Sequence, residues 1–410
     1  MKNLNADIAV IGGGASGFAA AITAARNGAG KVIIIERLPR TGKKLLATGN
    51  GRCNLSHTEI NEKSYRTSYP YFSEVIGEFE GAESFFGDLG LLTYADSQGR
   101  VYPYSNAAAS VLDALRLEAA RLGVEEICDY SVQSVSAEKG GFLINNSLFA
   151  KAVILCAGGC ASPSMGSDGS GFALAEKLGH KIIKPLPSLA PIKCNDNMVR
   201  ALKGLRVNCK VSAYLGKKIL KSEVGEIQFS DSALSGICIF NLSPLAAEYG
   251  SEMSICVDFM PEYDYDKVVD LLFGIKKQRR ECALEDMLTG FFQKRVGQCL
   301  MKGAVSLPLN SRVSSLKPDD IKKLAALIKC RRFSVDGLSP FTAAQVTHGG
   351  VFGEEIDEKL CSKLLKGLYF AGEIIDADGD CGGYNLHWAW ASGCLAGKSA
   401  AEFVKSRRKA

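Results

Sequence analysis

Three glycines and one glutamate near the start of the chain have the types and the spacing needed to hold a dinucleotide. Gly12 allows a tight turn, Gly14 lets a pyrophosphate approach the backbone, and Gly17 lets a following helix pack closely on a strand. Glu36, about twenty residues further on, can accept a hydrogen bond from an adenosine ribose, and its charge would repel a 2′-phosphate. These residues predict a site for a dinucleotide with a plain adenosine ribose.

The segments around these residues are of the kind that must position them. An apolar run over residues 8–11 predicts a strand, the Ala-rich residues 15–27 predict a helix, and residues 32–35 predict a second strand that ends at Glu36. The N-terminus of the helix would present unpaired N–H groups and its positive dipole end to phosphates. A GxGxxG pattern alone is weak, but the complete βαβ unit favours a ligand site over a Gly-rich turn without a ligand.

Residues 41–56 form a second polar, Gly-rich segment, whose pattern beyond Leu46 is typical of neither a helix nor a strand. Its glycines alternate with side chains that donate hydrogen bonds: Lys43, Lys44, Asn50, Arg52 and Asn54. Backbone and amide groups of such a loop can wrap a polar ligand while its cations neutralise phosphate. Directly after a dinucleotide-binding unit, this interpretation is favoured over an exposed basic turn.

A third Gly-rich segment lies near the C-terminus. Residues 370–372 are predicted to end a strand at the ligand crevice, with Glu373 and Asp376 near the ligand, and Gly382 and Gly383 are predicted to begin the terminal helix. The N-terminus of that helix could stabilise negative charge on a reduced isoalloxazine ring. The alternative is a Gly-rich corner of the core.

The same segment has the acidic alternation of a calcium loop, at Asp376, Asp378 and Asp380. However, the sixth loop position is Cys381 where glycine is needed, and the twelfth is His387 where a bidentate glutamate is needed. We therefore predict no calcium site. With only four histidines, none of them paired at ligand spacing, a zinc site is not predicted either.

Composition is that of an ordinary globular protein, with 410 residues, 47% apolar residues, 23% charged residues and a net charge of +5. This length suits two or three domains. Basic residues at 276–280 and in the tail are more typical of solvated surfaces than of a nucleic-acid site, and no apolar run is long enough to span a bilayer. The 14 cysteines include no CxxC pair, so we expect mostly buried, reduced thiols and a cytoplasmic protein.

The order of predicted elements indicates an insertion. The sequence predicts a helix over residues 106–121 capped by Ser105, short strands over 125–144 with a hairpin turn at 140–141, a buried strand over 152–157 and a helix capped near Ser170. The composition then changes at the prolines of residues 185–191. The chain is then β-rich to about residue 258, helical and charged over 263–327, and β-like again beyond Arg332.

Six segments together resemble the HI0933-like flavoproteins, also called the BaiN-like or YhiN-like family. They are AVIGGGASG, GKKLLATGNGRCNLS, GRVYPYSN, AGGCASPSMGSDGSG, GEIQFSDSALSG and LYFAGEIIDADGDCGGYNLHWAWASG. The resemblance covers nearly the whole chain, and GKKLLATGNGRCN and GGYNLHWAW are its most specific motifs. Cys381 and His387 depart from the commoner family pattern, which has Thr or Pro and Gln at these positions.

The resemblance implies an α/β fold with a Rossmann-like FAD-binding domain built from both chain ends, at residues 1–190 and 333–410. It further implies an inserted β-barrel-like domain at 191–260 and a small inserted helical domain at 261–332. The cofactor-binding residues predicted from the motifs and the resemblance together are Gly12, Gly14, Ala15, Ser16, Gly17, Glu36, Arg37, Lys43, Lys44, Thr48, Gly49, Asn50, Arg52, Cys53, Asn54, Val132, Ala157, Gly158, Gly372, Glu373, Gly383, Tyr384, Asn385 and Leu386.

The far end of the chain favours FAD over NAD, because an NAD dehydrogenase needs no second Gly-rich crevice from residues 370–386. No second strand–GxGxxG–helix unit is found, so NAD(P)H could serve only as a transient donor that docks on the flavin, and the donor stays open. Family members resembling this chain are associated with reduction of double bonds in 3-oxo bile-acid intermediates, and others with oxidation of aminoacetone. We favour the reductase.

Enone reduction needs a proton donor as well as a hydride. Motif positions suggest Tyr384, His387, Arg100, Tyr102 and His348, although each by itself is more typical of a structural residue. A tRNA-modifying flavoprotein is a weaker alternative, because the basic residues lack interleaved aromatics. A flavin-binding sensor with Cys53 as a redox-active thiol is another. The predicted partner is a small-molecule substrate, with no nucleic acid and no membrane, and the oligomeric state is open.

Overall fold

The structure, a computed structural model, describes residues 4–409, which divide into two compact units. The first unit takes up both parts of the chain that flank the second, up to Ser188 and from Phe341 onwards, and the second unit is Leu189–Pro340. The predicted Rossmann-like α/β fold is confirmed. The predicted division into three domains, with boundaries after residues 190, 260 and 332, stays a prediction.

The first part of the first unit combines strands with helices. The strands are β1 Leu4–Ile11, β2 Val32–Ile35, β3 Ser56–His57, β4 Tyr65–Thr67, β5 Thr93–Ala95, β6 Arg100–Pro103, β7 Glu125–Ile127, β8 Val135–Glu138, β9 Gly141–Ile144, β10 Leu148–Leu155 and β11 Ile182–Ser188. The helices are α1 Ala15–Arg26, α2 Lys43–Ala47, α3 Phe72–Glu78, α4 Ala82–Gly87, α5 Ala108–Arg121 and α6 Ser170–Lys177.

The second unit combines one six-stranded sheet with helices. The strands are β12 Ile192–Lys193, β13 Arg206–Leu215, β14 Lys218–Phe229, β15 Ala233–Ser235, β16 Met253–Asp258 and β17 Arg331–Ser334, and the helices are α7 Asn197–Ala201, α8 Ile237–Phe240, α9 Ser243–Tyr249, α10 Tyr265–Gln278, α11 Lys294–Ala304 and α12 Pro318–Lys329. Apolar side chains of strands and helices share one core, including Val211 of β13 and Leu272 of α10.

The chain then returns to the first unit with β18 Val346–Val351, β19 Leu368–Phe370, β20 Ala377–Gly379 and the long terminal helix α13 Tyr384–Lys409. Strand β18 pairs with β11, and β20 pairs with β4, so the C-terminal segments are bonded to N-terminal ones.

One sheet gathers the segments that the sequence predicts to bind a ligand. Strands β7, β2, β1, β10 and β19 are parallel neighbours, and the antiparallel hairpin β8–β9 extends the sheet from the first half of β10. Ile11 lies level with Ile35 and Leu155, and Leu155 lies level with Phe370. The carboxyl ends of four strands therefore meet at one edge, where ligands of such sheets bind.

Helices α1 and α13 pack at close range because small residues face each other. A Cβ atom on Gly393 would lie 2.6 Å from the Ser16 carbonyl oxygen, and one on Gly397 would lie 2.2 Å from that of Ala20. Larger side chains would force the helices apart. The contact holds the terminal helix beside the Gly-rich turn that follows β1.

Helix α5 begins later than predicted. It starts at Ala108 with Ala107 as its N-cap, and no side chain caps it, so the assignment of Ser105 as the cap is wrong. Asn106 instead takes a left-handed conformation, φ 53°, and its side-chain oxygen accepts a hydrogen bond of 2.6 Å from the Tyr94 hydroxyl. Because a left-handed residue does not fit into a right-handed α-helix, the helix begins only after Asn106.

Two of the 14 cysteines form a disulfide, Cys256–Cys330, and the other 12 are free thiols. Cys256 lies on β16 and Cys330 directly precedes its neighbour β17, with 5.4 Å between the Cα atoms. The expectation of reduced cysteines does not hold for this pair, because sheet pairing brings together residues that are 74 positions apart. No helix within residues 4–409 is long and apolar enough to cross a membrane.

Candidate functional site

The Gly-rich turn after β1 contains glycines of two kinds. A Cβ atom on Gly12, φ 107°, would lie 2.4 Å from the Cys156 carbonyl oxygen, and one on Gly17 would lie 1.9 Å from the Gly12 carbonyl oxygen. These two positions need glycine for the turn and for helix packing. A Cβ atom on Gly14 would meet no atom within 4 Å, and its φ of −89° suits any residue. The fold does not require glycine there, whereas a ligand that approaches the backbone does.

Glu36 is held at this turn by hydrogen bonds from two backbone amides. Its side chain is 9% exposed, one carboxylate oxygen accepts a 3.0 Å hydrogen bond from the Gly13 amide, and the other accepts a 2.9 Å bond from the Leu38 amide. A carboxylate offers about four lone-pair positions, so a ribose hydroxyl can still donate to it. The predicted ribose contact is thus oriented before a ligand binds.

A cleft that is partly open to solvent runs from this turn along the carboxyl ends of the strands. Nine of the predicted cofactor residues line it: Gly12, Gly14, Glu36, Arg37, Lys43, Lys44, Val132, Ala157 and Gly158. The lining also includes residues that sequence reasoning missed, namely Tyr130, Ser131, Met165, Gly166 and Ser167. The last three lie in the AGGCASPSMGSDGSG segment, whose composition was a usable signal.

The cations of the cleft have partners from distant parts of the chain. The Lys44 ammonium lies 2.7 Å from the Glu373 carboxylate, whose other oxygen accepts a 2.8 Å hydrogen bond from the Thr347 amide. Arg37 pairs with Asp168, and Lys43 donates to the Ser164 carbonyl at 2.9 Å. The structure therefore joins predicted cofactor residues from both chain ends.

Residues 48–54 form the irregular loop that the sequence predicts. Gly49, Asn50 and Cys53 have left-handed backbones, with φ of 56°, 55° and 60°. The Arg52 guanidinium stacks over the Tyr102 ring at 4.6 Å. Cys53 is fully buried, and burial raises the pKa of its thiol to about 12, so the thiolate needed for redox chemistry is disfavoured.

A second set of contacts builds the start of α13. Gly383, φ 110°, must be glycine, because a Cβ atom there would lie 2.2 Å from the Ser56 carbonyl oxygen. The Asn385 side chain accepts from the Gly379 amide and donates to the Gly379 carbonyl, each at 2.8 Å. The Tyr384 ring stacks on His57, with 4.9 Å between centroids. The Asn385 side chain thus holds the loop that precedes α13, and its predicted contact with the cofactor stays a prediction.

Of the remaining predicted cofactor residues, Gly372 is held between two helices. Its amide donates to Ser392 Oγ at 2.9 Å, and its carbonyl accepts from the Trp388 indole at 3.2 Å. A Cβ atom on Gly372 would lie 2.5 Å from Ser16 Oγ. The other predicted residues lie beside those described: Ala15 and Ser16 in the first turn of α1, Thr48 and Asn54 in the irregular loop, and Leu386 in the first turn of α13.

The five candidate proton donors do not form one group. Arg100 and Tyr102 lie on β6 beside the 48–54 loop, Tyr384 and His387 lie in the first turn of α13, and His348 lies on β18. Burial raises the pKa of Tyr102, so its phenol keeps a proton at neutral pH. Arg100 is paired with Asp96 at 2.7 Å.

The two histidines have opposite electrostatic surroundings. His387 is 4% exposed, its Nδ1 lies 2.9 Å from Ser56 Oγ, and within residues 4–409 its Nε2 has no hydrogen-bond partner. Burial lowers the pKa of His387 to about 4, so it is neutral at pH 7 and a poor acid. A hydrogen bond to Asp378 raises the pKa of His348 above its usual value.

Sequence reasoning missed Arg66. It pairs with Asp378 and Asp380, each at 2.8 Å, and thereby ties β4 to the segment that precedes α13. A single arginine in a short strand carries no motif, and only the pairing of β4 with β20 reveals it. Among residues 4–409, no group of three or more His, Cys, Asp or Glu side chains is placed to hold a metal ion.

Comparison with known proteins gives one family and several relatives. The family described as HI0933-like protein Rossmann domain matches residues 6–399. A 3-dehydro-bile acid delta(4,6)-reductase of Clostridium scindens is 39% identical over 96% of this chain and 99% of its own length. A ribosomal RNA dihydrouridine synthase of Haemophilus influenzae is 25% identical over 93% of this chain and 95% of its own.

A solved structure supports the fold alone. The 3-ketosteroid delta1-dehydrogenase of Sterolibacterium denitrificans is 13% identical, has a TM-score of 0.50, and matches 97% of this chain and 99% of its own.

Proposed function

We propose that this chain, which belongs to the HI0933-like family, reduces a carbon–carbon double bond conjugated to a ketone in a steroid-like small molecule. The chain is an FAD-dependent oxidoreductase; the proposal concerns its substrate and its direction. The observation that carries it is the 39% identity with a 3-dehydro-bile acid delta(4,6)-reductase over nearly the full length of both chains.

The chain supplies a binding surface that suits FAD. Gly14 and the N-terminus of α1 would take the pyrophosphate, Glu36 the ribose, and the N-terminus of α13 the pyrimidine edge of the flavin. Reduced flavin, when bound, supplies a hydride. The open space beside Gly14 is the feature that fits this group.

Hydride addition to the β-carbon of an enone places negative charge on the carbonyl oxygen and requires a proton at the α-carbon. Tyr102 contacts the loop predicted to border the flavin, because the Arg52 guanidinium stacks over its ring, and Arg100 lies two positions away on the same strand and therefore on the same face. We assign Arg100 to the developing oxyanion and Tyr102 to the proton. His387 is set aside because it is neutral at pH 7.

The test uses the purified protein and its flavin. We expect the protein to release FAD on denaturation, to bleach under anaerobic conditions with NADH or NADPH, and to convert a 3-oxo-Δ4 steroid into a product heavier by two hydrogens. Tyr102→Phe should lower kcat and leave the KM for the steroid nearly unchanged. Peroxide release from aminoacetone without steroid turnover would contradict the proposal and support the amine oxidase.

A second candidate is reduction of uridine in RNA, which the identities of 25% and 24% with two ribosomal RNA dihydrouridine synthases favour. The 5,6-double bond of uracil is conjugated to the C4 carbonyl, so the hydride step is of the same kind. Mass spectrometry of ribosomal RNA incubated with the reduced enzyme would show a gain of two hydrogens per modified uridine. Salt-sensitive RNA binding without steroid turnover would favour this candidate, against the predicted absence of a nucleic-acid partner.

A further inference from the structure

Arg66 bridges two carboxylates that precede α13. Its Nε and Nη2 donate to Asp378 Oδ2 at 3.1 and 2.8 Å, and its Nη1 donates to Asp380 Oδ1 at 2.8 Å. Strand β4 pairs with β20 so that Arg66 lies directly opposite Asp378. Directly opposite residues of an antiparallel pair point to the same face, so the backbone register itself aligns the guanidinium with the first carboxylate.

Asp378 is the buried centre of this arrangement. It is 1% exposed, and besides Arg66 it accepts hydrogen bonds from Ser188 Oγ at 2.9 Å and from His348 Nδ1 at 2.7 Å. Burial alone would raise the pKa of Asp378, but the bonds from His348 and Arg66 outweigh it and lower the pKa. The carboxylate is therefore charged and fully engaged, and it ties β4, β11, β18 and β20 together.

The segment that follows has little rigidity of its own. Gly382 and Gly383 have φ of 133° and 110°, and such residues leave a chain free to turn unless neighbours hold it. Two further bonds come from the residues next to Arg66: the Ser64 carbonyl accepts from the Asp380 amide at 2.8 Å, and the Tyr65 hydroxyl donates to the Tyr384 carbonyl at 2.9 Å. Residues 64–66 therefore hold both sides of the glycine pair.

We propose that Arg66 is a positioning residue for the flavin: by bridging Asp378 and Asp380 it fixes the glycine turn and so directs the N-terminus of α13 toward the ring. The inference rests on the proposed function in needing a bound flavin. Negative charge that builds on a reduced flavin is stabilised by N–H groups aimed at it. Loss of the bridge should therefore lower the reduction potential and weaken FAD binding.

The experiment compares two arginine variants of the holoenzyme. Arg66→Met removes the bridge. Arg26→Met is the matched control, because Arg26 is 28% exposed against 27% for Arg66 and also pairs with a buried carboxylate, Glu118, which is 8% exposed, but it ties α1 to α5. The readout is the two-electron potential of bound flavin in an anaerobic dye titration. We expect Arg66→Met to shift the equilibrium at least tenfold toward oxidised flavin, about 30 mV, and Arg26→Met to leave it unchanged.

Arg66→Lys provides a second test in case Arg66→Met does not fold. Lysine keeps the charge but cannot span both carboxylates with a planar fork, so we expect a potential between those of the wild type and Arg66→Met. A wild-type potential in Arg66→Lys, or equal potentials in the Met variants, would overturn the inference while FAD stays bound. Failure of the wild type itself to take up FAD would instead overturn the proposed function.

Discussion

The two ends of the candidate flavin site are built in opposite ways. The cradle, defined as residues 12–17 with Glu36, belongs to the first βαβ unit, in which Glu36 accepts a hydrogen bond from the Gly13 amide, and its free side faces an open cleft. The clasp, defined as Arg66, His348 and residues 376–385, joins three distant segments whose charges face each other. Changes in the cradle should therefore alter ligand binding, whereas changes in the clasp should first alter stability.

Asp378→Ala should have the largest effect. It leaves Arg66 and His348 without their shared buried partner, and breaking such a pair costs about 3–5 kcal/mol. Urea denaturation of the apoprotein measures the loss. Asp88→Ala is the control, because Asp88 pairs with Arg26 at 3.5 Å but is 68% exposed, and it should change stability by less than about 1 kcal/mol. Equal losses in both variants would contradict the assignment of the clasp as a buried charge cluster that stabilises the fold.

Acid should destabilise the protein through His387. Because its folded pKa is about 4 and its ordinary value is 6.5, the unfolded chain takes up the proton first as pH falls. The contribution of His387 to the free energy of unfolding is therefore fully present above about pH 6.5, and the free energy falls by up to about 3 kcal/mol as the pH drops toward 4. Denaturant midpoints across this range measure how stability changes with pH, and His387→Gln should make that dependence weaker.

His348 provides a contrast of opposite sign. Its folded pKa is raised, so its contribution to stability is complete below about pH 6.5 and is lost as pH rises through the folded pKa. His348→Gln should change the pH dependence of stability only above about pH 6.5. An unchanged acid slope in His387→Gln would contradict the assignment of a buried neutral imidazole.

Gly14→Val should affect binding without unfolding the protein. The new side chain would enter open space at the cleft, where we place the pyrophosphate, so FAD affinity should fall at least about a hundredfold, or 2.8 kcal/mol. Fluorescence titration measures the affinity, and thermal unfolding of the apoprotein should be nearly unchanged. Gly274→Val is the matched control, since a Cβ atom there also meets open space, but on the surface of α10. Wild-type affinity in Gly14→Val would refute the cradle.

Glu36→Gln should have the smallest effect. One of the two backbone amides, that of Gly13 or of Leu38, would face the new NH₂ group, and the ribose would lose its charged acceptor, so FAD affinity should fall about tenfold, or 1.4 kcal/mol. Calorimetry with ADP and 2′-phospho-ADP sharpens the test. The variant should discriminate less between them, and unchanged discrimination would mean that Glu36 does not face the ribose.

Sequence patterns were sufficient where neighbours in the chain decide the structure. The first βαβ unit was predicted within a few residues, as β1, α1 and β2, because apolar periodicity and glycine spacing specify it locally. Prediction failed at Ser105, because a contact from Tyr94 to Asn106 delays the start of α5. It also missed the Cys256–Cys330 disulfide, which depends on strand pairing.

The sequence by itself determined the Rossmann-like fold and the family, and it predicted the dinucleotide cradle. These follow from short motifs whose glycines and acid act within one supersecondary unit. Only the tertiary structure decided that Arg66 and His348 share Asp378, that His387 is buried and neutral, and that Gly14 faces open space. The physical reason is that charge, burial and close approach depend on which distant segments meet, and a linear pattern does not encode that meeting.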